Sequence, residues 1–341
     1  MMLNIVQIGS VGHYAYALPT MKKYGLRFCG VCYPHEADVR ERAEKNFARF
    51  GFAPPVFEDW REMLETVKPD IAIVNTVMAD NCEIAKTALS MGISVFCEKP
   101  LATTPEALDE LERTFYKSQA RISEDGRAPV LCGMFGIDYL PHFETAYRYV
   151  ESGALGDIRL ANAQKSYRMG NREKFYSDRA QYGGTIPWVA IHAIEWVFRF
   201  GGLRPVSVTA CASTACNAGN GTMEASTLCL FACEGGRMAS VSADVMRPAT
   251  APTHDDDRLR LVGSKGILEV RGGRVYVIDG GGERELTTVH TETELFEEML
   301  LEHLGKGKCR VSAEDAFLAT RAALWAREAA DTGERQNIPV I

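Results

Sequence analysis

A rhythm in the first 136 residues constrains this chain more than any other feature. Short runs that are apolar on every side recur at 3–8, 26–32, 71–75, 93–97 and 130–135, with a shorter one at Val56-Phe57. Between them the sequence takes helical spacing, at 36–50, 60–67, 82–91 and 105–117. Strands without a polar face need cover on both sides, and alternating helices supply it. The expectation is a parallel sheet in a doubly wound α/β domain. Asp59 with Glu62 three residues on reads as a capping box, and Gly92 as a helix stop. One segment fits poorly: Pro19 falls inside the helix expected between His13 and Tyr24, so that helix starts late or kinks.

From about residue 140 the pattern changes. A helix at 140–151 precedes strand-like runs at 157–168, 206–216, 224–233, 237–246, 258–262, 267–270 and 275–278, with an amphipathic stretch at 188–200. Several runs alternate with period two and are punctuated by paired glycines, which predicts a large, mostly antiparallel sheet with two different faces. Helices at 292–304 and 312–331, the latter capped by Ser312, close the chain. The expected division is 1–136 and 137–341, the second part also α/β.

A length of 341 residues fits two domains. Lys and Arg number 38 against 45 Asp and Glu, a net charge of −7, which argues against a nucleic-acid partner. No uninterrupted apolar run approaches the roughly 20 residues of a membrane helix, and the start lacks the marks of a signal peptide. A cytoplasmic protein with no membrane partner is expected. Cys29 and Cys32 have redox-motif spacing but should point to opposite faces of a strand, and Cys229 and Cys233 sit in another strand-like run. Buried, reduced cysteines and no metal are therefore expected.

The chemistry begins at Ile8-Gly9-Ser10-Val11-Gly12-His13-Tyr14. In a doubly wound domain this first strand-to-helix turn receives a dinucleotide pyrophosphate. Only Gly9 is in phase with G-x-G-x-x-G. Val11 stands where a second glycine would let backbone approach phosphate, and Gly12 restores some freedom. The second strand ends in Tyr33, at the position of an acid that would bind the adenosine ribose. Glu36 and Asp38 follow and should open the next helix. No Lys or Arg immediately follows Tyr33, so NAD and NADP both stay open.

The fifth strand runs into Cys97-Glu98-Lys99-Pro100-Leu101-Ala102. With Gly153 to Gly156, Gly183-Gly184 ahead of His192, the Asp-Arg-Leu-Arg-Leu-Val-Gly run at 257–263, and Ser312 to Asp315, the chain resembles the Gfo/Idh/MocA oxidoreductases nearly end to end. The resemblance implies a Rossmann domain, a second domain whose sheet faces the nicotinamide, and association as a homodimer or homotetramer. It also implies hydride transfer between NAD(P) and a hydroxyl-bearing carbon of a sugar, polyol or sugar acid. Lys99 would contact the reacting hydroxyl, Glu98 the nicotinamide ribose, and His192 would move the hydroxyl proton. Gly9, Val11, Gly12, Tyr33, Thr76, Asn81, Glu98 and Lys99 are the expected cofactor-binding set. Lys99, Arg168, Trp188 and His192 are the expected substrate-binding set, with Lys99 and His192 catalytic.

Departures from the family pattern are specific. Trp188 stands where many members have an Asp four residues before the histidine, Asp138 where Arg or Asn is common, and Asn81 where a histidine is common. Glu195 conserves an acid three residues beyond His192. Trp188 has two readings: a platform for a sugar's C–H face, or helix core, since 188, 192 and 196 share an α-helical face. Lys165, Arg168, Arg172, Lys174 and Arg179 read as a clamp for an anionic substrate or as a solvated loop. Tyr167 and Tyr182 are possible proton donors, and His254 to Asp257 reads as solvated charge or as metal ligands with His192 and Glu195. Two further functions fit the same residues: a glycosidase that recycles its NAD, and a non-catalytic sensor of the kind seen in galactose-regulon repressors.

Overall fold

A computed structural model of the chain describes residues 3–120 and 127–339. It divides into two compact units, residues 1–136 with 293–317, and 137–292 with 318–341. The segment 293–317, expected in the second domain, groups with the first.

In the first unit, β1 (Asn4–Ile8), β2 (Arg27–Cys32), β3 (Val56–Phe57), β4 (Ile71–Val74), β5 (Ser94–Cys97) and β6 (Leu131–Gly133) form one sheet in the order β3-β2-β1-β4-β5-β6. Every pairing is parallel. The order reverses beside β1, and a doubly wound sheet opens its ligand crevice there, at the carboxyl ends of β1 and β4. The connecting helices are α1 (Leu18–Tyr24), α2 (Arg40–Arg49), α3 (Trp60–Val67), α4 (Met78–Ser90) and α5 (Pro105–Gln119). Helix α1 starts late, and Pro19 sits in its first turn, where the missing N–H costs no hydrogen bond. Asp59 caps α3 by accepting from the Arg61 and Glu62 amides at 2.7 and 2.9 Å. Gly92, at φ 83°, ends α4. Helix α2 starts at Arg40 instead of Glu36, which leaves Asp38 in the preceding turn.

The second unit opens with α6 (Pro141–Glu151), β7 (Ile158–Arg168) and the single turn α7 (Arg179–Tyr182). A π-helical turn (Ile186–Ala190) then leads into α8 (Ile191–Arg199). The strands β8 (Pro205–Ser213), β9 (Ser226–Cys233), β10 (Met238–Arg247), β11 (Arg258–Gly263), β12 (Ile267–Arg271), β13 (Arg274–Asp279), β14 (Gly282–Glu285) and β15 (Gln336–Asn337) join β7 in a nine-stranded sheet. Its order is β14-β13-β12-β11-β7-β10-β9-β8-β15. All pairs are antiparallel except β10 with β7, which makes the sheet mixed. The sequence patterns did not reveal β14 and β15, which are four and two residues long. Helices α9 (Leu295–His303) and α10 (Ala313–Thr332) complete the chain, and the Ser312 hydroxyl accepts from the Asp315 amide at 3.1 Å, as a cap should.

All ten cysteines are free thiols. Seven are buried; Cys29 is half-buried, and Cys211 and Cys216 are exposed, against the expectation of uniform burial. No helix among the described residues is long and apolar enough to cross a membrane.

Gly9 is the tightest point of the first unit. It has φ 86°, and a Cβ there would lie 2.3 Å from the Asn75 carbonyl oxygen, a backbone atom that cannot swing aside. Gly9→Ala is expected to lower the unfolding free energy by about 1–3 kcal/mol from overpacking. Urea titration followed by circular dichroism measures this, and a variant as stable as the parent would contradict the packing described.

Candidate active site

In the first unit the site is built around the Glu98 carboxylate. Glu98 follows β5 and is buried, and four donors converge on it. They are the His13 amide (2.7 Å), His13 Nδ1 (2.9 Å), the Lys99 amide (3.0 Å) and Asn75 Nδ2 (3.4 Å). Burial alone would raise this carboxyl, but His13 and Lys99 outweigh it and hold Glu98 below the usual carboxylate range. Its oxygens thus hold the glycine loop, where the resemblance implied a ribose contact. Gly12 is required by the same approach, because a Cβ there would meet Glu98 Oε2 at 2.3 Å. His13, which no glycine-motif position marks, packs tilted against Tyr16 with ring centroids 4.6 Å apart.

The loop is fixed at two further points. The Gly9 amide donates to the Cys32 carbonyl at 2.8 Å and the Val11 amide to the Asn75 carbonyl at 2.7 Å. Asp38 adds a third. Its carboxylate accepts from the Ser10 amide at 2.6 Å, the His35 amide at 3.0 Å and the Thr76 hydroxyl at 3.1 Å. Burial raises its pKa, which those donors partly offset. Asp38 therefore does not open α2; it brings an acid to the crevice that Tyr33 does not supply. Asn81 accepts from the Thr76 amide at 3.0 Å. Tyr33 directly follows β2, and burial pushes its phenol up to about 12.

These residues fit a dinucleotide. The two glycines let the loop pack directly on the Asn75 backbone and the Glu98 carboxylate, where a Cβ would collide. Ser10 Oγ, Tyr33 OH, Asn75 Oδ1 and Asn81 Nδ2 are buried polar atoms that lack a hydrogen-bond partner among the described residues. Orphaned polar groups at the carboxyl edge of such a sheet are those a nucleotide's ribose and phosphates would satisfy. Lys99 lies beside them, only 2% exposed.

The second unit holds Arg168, Trp188 and His192. His192 is 1% exposed in the first turn of α8 and stacks over Trp196 with centroids 6.5 Å apart. Upstream, Glu224 fixes the approach to that helix, accepting from Tyr182 OH at 2.6 Å and from the Thr185 amide at 3.0 Å. Burial and Glu224 drive the Tyr182 phenol well above its ordinary range, and the fully buried hydroxyl is engaged in holding Glu224. The π-turn adds a residue per turn and rotates Trp188 off the His192–Trp196 face expected for an unbroken α-helix. Trp188 is 6% exposed, packed on Tyr176 (4.4 Å) and Tyr182 (5.8 Å) with the Arg172 guanidinium 4.9 Å from its centroid. This is the core reading of Trp188.

Glu195 also differs from its expected setting. Arg199 bonds both Glu195 Oε1 and Asp138 Oδ2 at 2.5 Å, and the buried trio ties the 3₁₀ turn at Gly136–Tyr139 to α8. The basic cluster divides in the structure. Lys165 is fully buried on β7 and bonds Asp257 at 2.5 and 2.6 Å, and its ammonium faces the rings of Tyr167 (4.6 Å) and Trp196 (5.8 Å). Burial pushes Asp257 up to about 6 against the pull of Lys165. Arg179 pairs with Asp331 at 2.6 Å, Asp256 with Arg258 at 2.8 Å, and Lys174 is exposed. The run 254–257 is thus an ion-paired edge more than a solvated loop, and among the described residues no group of three or more acids, histidines and cysteines could hold a metal.

Removing one member of a buried pair strands the other's charge. Lys165→Met is expected to cost about 3–5 kcal/mol, and Lys165→Met with Asp257→Leu to recover most of it. Chemical denaturation of the single and double variants measures the cycle, and a harmless single variant would contradict the pairing.

Residues 3–125 match the family model described as an oxidoreductase family with an NAD-binding Rossmann fold, and residues 143–269 the GFO/IDH/MocA C-terminal domain. A solved chain from Thermotoga maritima, provisionally described as an oxidoreductase, is 43% identical with a TM-score of 0.93, over 98% of this chain and 100% of that one. The trans-1,2-dihydrobenzene-1,2-diol dehydrogenase of Xenopus tropicalis is 24% identical over 72% of this chain and 70% of its own. The D-glucoside 3-dehydrogenase of Escherichia coli K12 is 28% identical over 56% of this chain and 51% of its own. With both units matched, and a dinucleotide cradle at the carboxyl edge of its parallel sheet, the chain belongs to the Gfo/Idh/MocA family of NAD-binding oxidoreductases.

Proposed function

We propose that the protein transfers a hydride between NAD and a hydroxyl-bearing carbon of a sugar, polyol or sugar acid, with Lys99 and His192 as its catalytic residues. The observation that carries this reading is Lys99, a buried lysine two residues after β5 and next to the Glu98 anchor. Oxidising an alcohol requires a base for its proton and a positive group to hold the oxygen as charge develops on it. His192 is the base, since an imidazole titrates near neutrality, and the Lys99 ammonium holds the oxygen. NAD, when bound, supplies the hydride acceptor. The similar proteins named for a diol and a glucoside support a hydroxyl-bearing substrate.

Asp38 supports NAD over NADP, because its carboxylate beside Ser10 and Thr76 would repel a 2′-phosphate. The open face of the second sheet supports self-association. Leu228, Leu230 and Met238 are 57%, 62% and 56% exposed there, a patch suited to a second copy in a homodimer or homotetramer.

NADH formation at 340 nm against a panel of sugars, polyols and sugar acids tests the reaction. Turnover is expected with NAD in preference to NADP. Lys99→Ala and His192→Ala should each lower kcat/KM about 10²- to 10⁴-fold, with NADH binding retained in His192→Ala. Turnover of a glycoside without net NADH would overturn this reading in favour of a recycling glycosidase, and binding without any turnover in favour of a sensor. Sedimentation should give a dimer or larger, and Leu230→Glu a smaller species.

A further inference from the structure

We propose that Arg168 and Arg172 form an oxyanion site that takes the carboxylate of an acidic sugar, which makes sugar acids the preferred substrate class. The inference rests on the dehydrogenase reading for the word substrate, and on the second unit alone for the site. Arg168 ends β7 and Arg172 follows it by four residues. Arg168 donates through Nη2 to the Ala251 carbonyl, and Arg172 donates through Nη2 to the Arg168 carbonyl at 3.1 Å. Those bonds go to neutral backbone. Among the described residues neither guanidinium is ion-paired, although nearby Lys165, Arg179, Arg247 and Arg258 all are.

Both arginines are half-buried, and the Nε of each is buried without a hydrogen-bond partner. Two guanidinium groups, one of them hydrogen-bonded to the other residue's backbone carbonyl and each with an unsatisfied Nε donor, suit an anion that accepts from both. The guanidinium fork reads planar oxyanions through paired N–H groups, which an ammonium does not. The Arg172 guanidinium also lies over the rings of Trp188 and Tyr176, 4.9 and 5.9 Å from their centroids, contacts that restrict its freedom. Trp188, against which the Arg172 guanidinium rests, precedes His192 by four residues on the same continuous helical segment.

A carboxylate is favoured over a phosphate by the surrounding charge. Tyr167, next to Arg168, pairs by an isolated bridge with Asp255, and the Arg168 amide bonds the His254 carbonyl. That acidic edge offsets part of the positive field and suits a single negative charge better than two.

The test is calorimetric titration of the NADH-bound protein with sodium gluconate, sodium glucuronate, glucose and glucose 6-phosphate, alongside NADH formation from each oxidisable compound. At least one of the two acids is expected to bind about tenfold or more tightly than glucose and more tightly than the phosphate ester. Arg172→Met and Arg168→Met should collapse the ratio of acid to neutral sugar, while Arg172→Lys, which keeps the charge and loses the fork, should retain part of it. Equal affinity for acid and neutral sugar, preference for the phosphate ester, or a ratio indifferent to all three substitutions would overturn the proposal. Binding selectivity without NADH formation from any compound would leave the anion site standing and sink the dehydrogenase reading, so the two fail separately.

Discussion

The first unit depends on one buried carboxylate. Glu98 gathers two donors from His13, one from Lys99 and one from Asn75, and so joins the turn after β1, the end of β4 and the turn after β5. A carboxylate out of water is tolerated only when its oxygens are satisfied by well-placed donors, so each of these contacts is under strong constraint. The consequence is a glycine loop held by its backbone in place of the usual run of glycines. Val11 is tolerated because its amide is anchored to Asn75, and Gly12 is obligatory because Glu98 fills the space beside it. Lys99 inherits its burial from this arrangement, since it is the next residue along.

A second buried acid organises the other unit in a comparable way. Glu224 holds Tyr182 and Thr185, which fixes the turn before the π-helical segment. That segment sets the rotation of the chain as it enters α8, turning Trp188 into an aromatic cluster and His192 towards Trp196. Arg199, Glu195 and Asp138 then tie the far end of α8 to the start of the unit. A histidine on a helix pinned at both ends has little freedom, which suits a group that must meet a substrate in one orientation.

The sequence made the fold class legible because the two sheets differ in what they bury. Runs apolar on every side marked the parallel sheet, and period-two alternation marked the mixed one. The parallel pairing of β10 with β7 left no trace, because strand direction has no side-chain signature. Asp38 was misread as a helix opener because its partners Ser10 and Thr76 lie 28 and 38 residues away. Lys165 carried a usable signal: it shares strand parity with the buried Ala161 and Ala163, which puts it on the covered face. The π-turn had none, so Trp188 could not be separated from the His192 face by spacing alone.

The Glu98 anchor is the central claim, and calorimetric titration of NADH into wild-type protein and Glu98→Gln tests it most directly. The amide keeps one acceptor for the His13 and Asn75 donors, but it loses the charge and sets its NH₂ against the Lys99 amide, so the loop should lose its fixed position while the sheet stays folded by circular dichroism. Charge-assisted hydrogen bonds of this kind carry about 1.5–3 kcal/mol, so NADH should bind about tenfold or more weakly in the variant. Equal affinity in the two proteins would contradict the account, and would mean that the dinucleotide cradle is held by something other than Glu98.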